Sequence, residues 1–169
     1  MTLSPLMTAL AAAALLPSAA SAHIGLTQRQ GEAGAYHGAF SRVGHGWGEA
    51  ATTAFTVRLP DAVPAVRPQP KPGWTITVER EPLDPPMMQN GRPLTERIRS
   101  VTWNGGPLAA DQFDDFGLLM PLPSTPGDLA FTAVQTCGAE SVAWDGADAA
   151  HPQPILTVAP AAPTVHHHQ

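Results

Sequence analysis

Nineteen prolines and fifteen glycines are scattered through this 169-residue chain. Proline lacks an amide donor and its ring clashes with the preceding helical turn, so a chain interrupted this often cannot build long helices. What survives between the breaks is a series of short runs with a period of two. Trp74-Thr75-Ile76-Thr77-Val78-Glu79 puts Trp74, Ile76 and Val78 on one face. Residues 53–59 alternate and stop at Pro60, and residues 98–103 alternate and stop at Asn104-Gly105-Gly106. Further runs fall at 36–43, 116–122, 129–135, 141–144 and 154–158. About eight short strands separated by turn signals at roughly ten-residue spacing predict an all-β chain folded as an antiparallel β-sandwich. Residues 81–94 are rich in proline and hold Met87-Met88; they read as a long loop crossing between strands. No internal repeat is present.

The N-terminus reads differently. Pro5 to Leu16 is almost wholly apolar, and small residues follow up to Ala20-Ser21-Ala22. That is the pattern of a secretory signal cleaved after Ala22, and its apolar stretch, about a dozen residues, is short for a membrane span. The expected organisation is a cleaved signal at 1–22, one β-sandwich domain at 23–158, and an Ala/Pro-rich disordered tail at 159–169 ending His166-His167-His168. The expected location is periplasmic or secreted, with no membrane span after cleavage. A net charge of −5 without a basic cluster argues against nucleic-acid binding. The single cysteine, Cys137, reads as a buried thiol acting as a small hydrophobe.

Cleavage after Ala22 would make His23 the first residue of the mature protein. Its free amine and its imidazole Nδ1 can chelate one metal ion in a six-membered ring. A third nitrogen across the ion would complete a T-shaped histidine brace, and nitrogen donors in a planar geometry favour copper(II). His37, 14 residues downstream on the first long strand pattern, is the candidate for that nitrogen, with His45 in Gly44-His45-Gly46 as its competitor. A blue-copper site is disfavoured, because no methionine follows Cys137 and the next histidine is His151. One cysteine excludes a Cys-rich zinc site. No G-x-S-x-G elbow is present, and Asp114-Asp115, being adjacent, point to opposite faces of a strand and do not form a working pair.

In order along the chain, Ala33-Gly34-Ala35-Tyr36, Arg42-Val43 with His45-Gly46, and residues 66–74 ending Lys71-Pro72-Gly73-Trp74 carry a family pattern. Thr102-Trp103-Asn104-Gly105-Gly106-Pro107-Leu108, Phe113-Asp114-Asp115-Phe116, Val134-Gln135-Thr136-Cys137 and His151-Pro152 complete it. With these the chain resembles the YcnI-like family of exported bacterial copper-binding proteins. The resemblance implies a cupredoxin-like or immunoglobulin-like sandwich. It implies copper(II) held by an N-terminal histidine brace with a carboxylate as the extra ligand and a tryptophan beside the metal. His23 maps onto the brace histidine and Trp144 onto the tryptophan, while the carboxylate position falls on His37, which would make the brace a two-histidine one. Relatives with a His-Gly-Cys motif can pair that cysteine with the later one. Here Trp47 stands in its place, so that staple is missing and Trp47 packing is expected to offset part of it.

The expected function is therefore a copper(II) buffer or chaperone rather than an enzyme. It would bind the metal at His23, His37 and Trp144 and exchange it with other periplasmic or membrane copper-handling proteins. A brace-dependent copper oxidase or oxygenase and a metal-free cell-surface binding module are the alternatives.

Overall fold

A computed structural model describes residues 23–89 and 91–162; the expected signal and the three tail histidines lie outside them. The described residues contain twelve strands and no helix. One sheet has the order β1 (Gly25–Leu26), β3 (Tyr36–Val43), β8 (Asp114–Pro121), β5 (Arg67–Pro68). A second runs β11 (Glu140–Trp144), β10 (Thr132–Cys137), β4 (Thr52–Arg58), β7 (Arg92–Leu108), β6 (Trp74–Gln89). A third, smaller sheet places β12 (Ile155–Ala159) between β2 (Gln30–Glu32) and β9 (Gly127–Ala130). Among the described strands only the β2–β12 pairing is parallel. This is the expected all-β sandwich.

The period of two is what closes it. In β3 the buried positions are His37, Ala39, Ser41 and Val43; in β10 they are Ala133, Gln135 and Cys137. The two larger sheets meet face to face around Phe116 of β8. Its ring lies 4.7 Å from Phe55 of β4, 5.4 Å from Trp103 of β7 and 5.1 Å from Trp74 of β6. Aromatic rings at these separations, tilted or edge-on, add to the burial of their area. Leu129, Leu156 and Val158 extend the same core under the third sheet.

The reading of residues 81–94 as a loop is corrected. Glu81–Gln89 completes β6 and Arg92–Leu94 begins β7, and the two pair as a long hairpin arm. The ladder skips between Pro82 and Met87, where a bulge absorbs the intervening residues. Proline survives here because β6 is the edge of its sheet, where one side of the backbone needs no ladder donor. Met87 and Met88 sit near the tip of this arm, both exposed.

Candidate functional site

His23 leads into β1, which pairs antiparallel with β3 in the register Gly25↔Arg42 and Leu26↔Ser41. His23 lies two residues before that pairing, toward the end of β3 that leads into Gly44 and His45. The exposed His23 borders an open cleft of about 330 Å³, whose other walls include Arg29, Pro152, Gln153, Pro154 and Ile155. The cleft is built by short backbone ties: the Thr157 amide donates to the Arg29 carbonyl at 2.8 Å and the Phe131 amide to the Pro154 carbonyl at 2.9 Å.

The loop carrying His45 is pinned to the same end of the sandwich. Gln135, buried in β10, donates from Nε2 to the His45 carbonyl at 2.8 Å and to Thr52 Oγ1 at 2.7 Å. Gly46 packs so closely that a Cβ there would stand 2.1 Å from the Ala50 carbonyl oxygen, so this turn tolerates no side chain. The His45 ring sits with Nδ1 2.6 Å from the Gly46 carbonyl.

A third histidine stands at this end. His151 occupies the turn between Trp144 and Pro154, directly before the residues that wall the cleft. Asp148 organises that turn. Its carboxylate accepts from the Ala150 amide at 2.8 Å and the His151 amide at 2.9 Å. The same carboxylate faces His151 Nδ1 with both oxygens, at 2.9 and 3.1 Å. The hydrogen bond from His151 holds the Asp148 carboxyl below its ordinary pKa. Trp144 meets the His151 ring edge-on at 5.8 Å, and Trp47 lies 6.4 Å from it on another side. Trp144 itself is fully buried. It belongs to the core and reaches the cleft end of the molecule through His151.

His37 is elsewhere. It pairs with Met120 near the start of β3, whereas Gly25, two residues after His23, pairs with Arg42 at the far end of that strand. The strand between His37 and Arg42 spans roughly 16 Å at about 3.3 Å per residue. The His37 ring points inward, buried beneath Gly31 and Leu122, and its Nε2 has no hydrogen-bond partner. Burial lowers its pKa, and a hydrogen bond with the Gln28 backbone opposes that shift only in part. His23, His45 and His151 thus share one end of the sandwich, and His37 does not join them. Nor do Asp114 and Asp115 form a pair: Lys71 donates to Asp114 and Arg42 to Asp115.

Among the described residues no group of three or more His, Cys, Asp or Glu side chains is gathered closely enough to hold a metal. A site built on an N-terminal histidine does not need one, because that residue would supply two nitrogens and a single further side chain a third. Reasoning from spacing did not single out the His151 turn; its sequence mark is Asp148-x-x-His151, a carboxylate three residues before a histidine.

No curated protein matches the chain. An uncharacterized protein from Nocardia farcinica, whose crystal structure reveals an immunoglobulin-like fold, superposes with a TM-score of 0.61 at 31% identity, over 81% of this chain and 98% of that one. The seventh ScaB type I cohesin from Pseudobacteroides cellulosolvens aligns over 87% of this chain and 97% of its own, with a TM-score of 0.48 and 8% identity. The immunoglobulin-like likeness agrees with the two facing sheets around Phe116. Residues 23–164 match the family model described as Domain of unknown function (DUF1775). The chain therefore belongs to the DUF1775 family, the domain of the YcnI-like proteins.

Proposed function

We propose that this protein is an exported copper(II)-binding protein, a buffer or chaperone whose metal site is created when the signal is removed after Ala22. The observation that carries the reading is the position of His23: the first residue of the family match, exposed at the mouth of an open cleft. In the uncut chain its nitrogen is a peptide amide and a poor ligand. After cleavage the same nitrogen is an amine, which can close a chelate with Nδ1. An α-amine has an unperturbed pKa of about 7.7–8.0, so binding releases a proton near neutral pH and weakens in acid. Copper(II) outranks the other divalent first-row ions for nitrogen donors. The donors are few and lie at the surface, an arrangement suited to taking up and handing over an ion.

The test uses protein exported from the full-length chain, with a mass that shows His23 at its N-terminus. Titration with copper(II) against a competing chelator is expected to give one tight, near-equimolar site. An alanine inserted between Ala22 and His23, and retained after cleavage, is expected to weaken it at least tenfold. Absence of a tight site, or equal affinity with the extra residue, overturns the reading.

A further inference from the structure

We propose that His151, through Nε2, is the side-chain nitrogen that completes the copper site begun at His23, and that Asp148 is its positioning residue. This rests on the copper reading above. Three observations converge on it. The first is place: His151 immediately precedes Pro152, Gln153, Pro154 and Ile155, the residues that form the cleft with His23. The second is the state of the ring. Both Asp148 oxygens lie within hydrogen-bond distance of Nδ1, at 2.9 and 3.1 Å, so the neutral ring carries its proton there and leaves the Nε2 lone pair for a ligand. A carboxylate behind the distal nitrogen is the arrangement that orients metal-binding histidines and raises their basicity. The third is rigidity. Trp144 stands edge-on to the ring at 5.8 Å and Trp47 lies 6.4 Å away, so little freedom remains to be lost on binding.

The other histidines fit less well. His37 is a strand length away and faces the core. His45 lies in the right region, but its Nδ1 is held against a neutral carbonyl in its own turn and has no carboxylate behind it. Because His23 would contribute both its amine and its ring, His151 alone is enough to make a three-nitrogen set containing two imidazoles.

Copper(II) bound to the exported protein reports this directly, because pulsed electron-spin-echo modulation counts equatorial imidazoles through their remote nitrogens. The wild type is expected to show two. His151→Gln is expected to show one and to bind copper at least tenfold more weakly, while His45→Ala and His37→Leu retain two. Asp148→Ala is expected to weaken binding severalfold and shift the copper hyperfine coupling, and Asp148→Asn, which keeps an oxygen acceptor, to retain most of the affinity. A single imidazole in the wild type, an unchanged count in His151→Gln, or loss of one in His45→Ala overturns the assignment. A wild type without a tight site overturns the copper reading itself. If His151→Gln does not fold, diethyl pyrocarbonate modification of the wild type, mapped by mass spectrometry, decides: copper is expected to protect His151, and equal labelling with and without copper refutes its role.

Discussion

Replacing His37 with leucine separates two roles that a sequence reading assigns to the same residue. If His37 were the second brace histidine, the substitution would destroy copper binding. The register of β1 on β3 sets it roughly 16 Å along the strand from the pairing that His23 leads into, with its ring in the core. It is then a packing residue with a pH liability. Burial lowers its pKa below the ordinary 6.5, so between the folded-state value and 6.5 the unfolded chain binds a proton that the folded chain does not. Stability is fully present above about 6.5 and falls as pH drops through that window, by at most about 1.36 kcal/mol per pH unit for this group. Leucine removes the titration and the unpartnered Nε2, which costs about 1–3 kcal/mol when buried. It also loses the hydrogen bond with the Gln28 backbone, worth about 0.5–1.5 kcal/mol. These opposing terms leave the neutral-pH stability between a net loss of about 0.5 kcal/mol and a net gain of about 2.5 kcal/mol. The assay is urea unfolding of metal-free wild type and His37→Leu at intervals from pH 7.5 to pH 4.5, where every other titrating group cancels in the difference. The variant is expected to gain on the wild type steadily below pH 6.5 and to bind copper(II) within threefold of wild-type affinity. Parallel pH profiles, or a tenfold loss of copper affinity, would refute the reasoning.

Two further substitutions test the packing around this region and the ion pairs of the opposite strand. Gly31→Ala would drive a Cβ to 2.5 Å from Leu122 Cδ1 and 2.9 Å from His37 Nδ1; an overpacking cost of about 1–3 kcal/mol is expected from the urea midpoint at constant m-value. Lys71 donates to Asp114 at 2.7 Å and to the Asp115 carbonyl at 2.8 Å, and lies over the Phe116 ring at 4.9 Å. Lys71→Met is expected to cost about 1.5–3 kcal/mol, the worth of charge-assisted bonds at a largely buried ammonium. A double variant with Asp114→Asn should recover part of that loss, because the stranded carboxylate is gone.

Local chemistry made much of this protein legible from its residues alone. Alternation in runs such as Trp74-Thr75-Ile76-Thr77-Val78 reflects the strand's own geometry, so the all-β class and the shared face of Trp74, Ile76 and Val78, which packs against the core, could be read without knowing what they pack against. The arm at 81–94 could not, because proline signals a break in isolation and is tolerated only once β6 proves to be an edge strand. The site divides in the same way. His23 was visible because it depends on a cleavage pattern and on the chemistry of a single residue. Its proposed partner was not, because sequence spacing does not encode register. Fourteen residues allow the chain to reverse between His23 and His37, yet the antiparallel register of β1 on β3 sends the two histidines to opposite ends of one strand. His151 lies far away in sequence and comes next to the cleft-lining Pro152 only because β12 lines up with the third sheet and Asp148 folds the preceding turn. Which residues carry donor chemistry was thus written in the chain; which end of the sandwich each one occupies was decided by strand register, a property of pairings between distant segments.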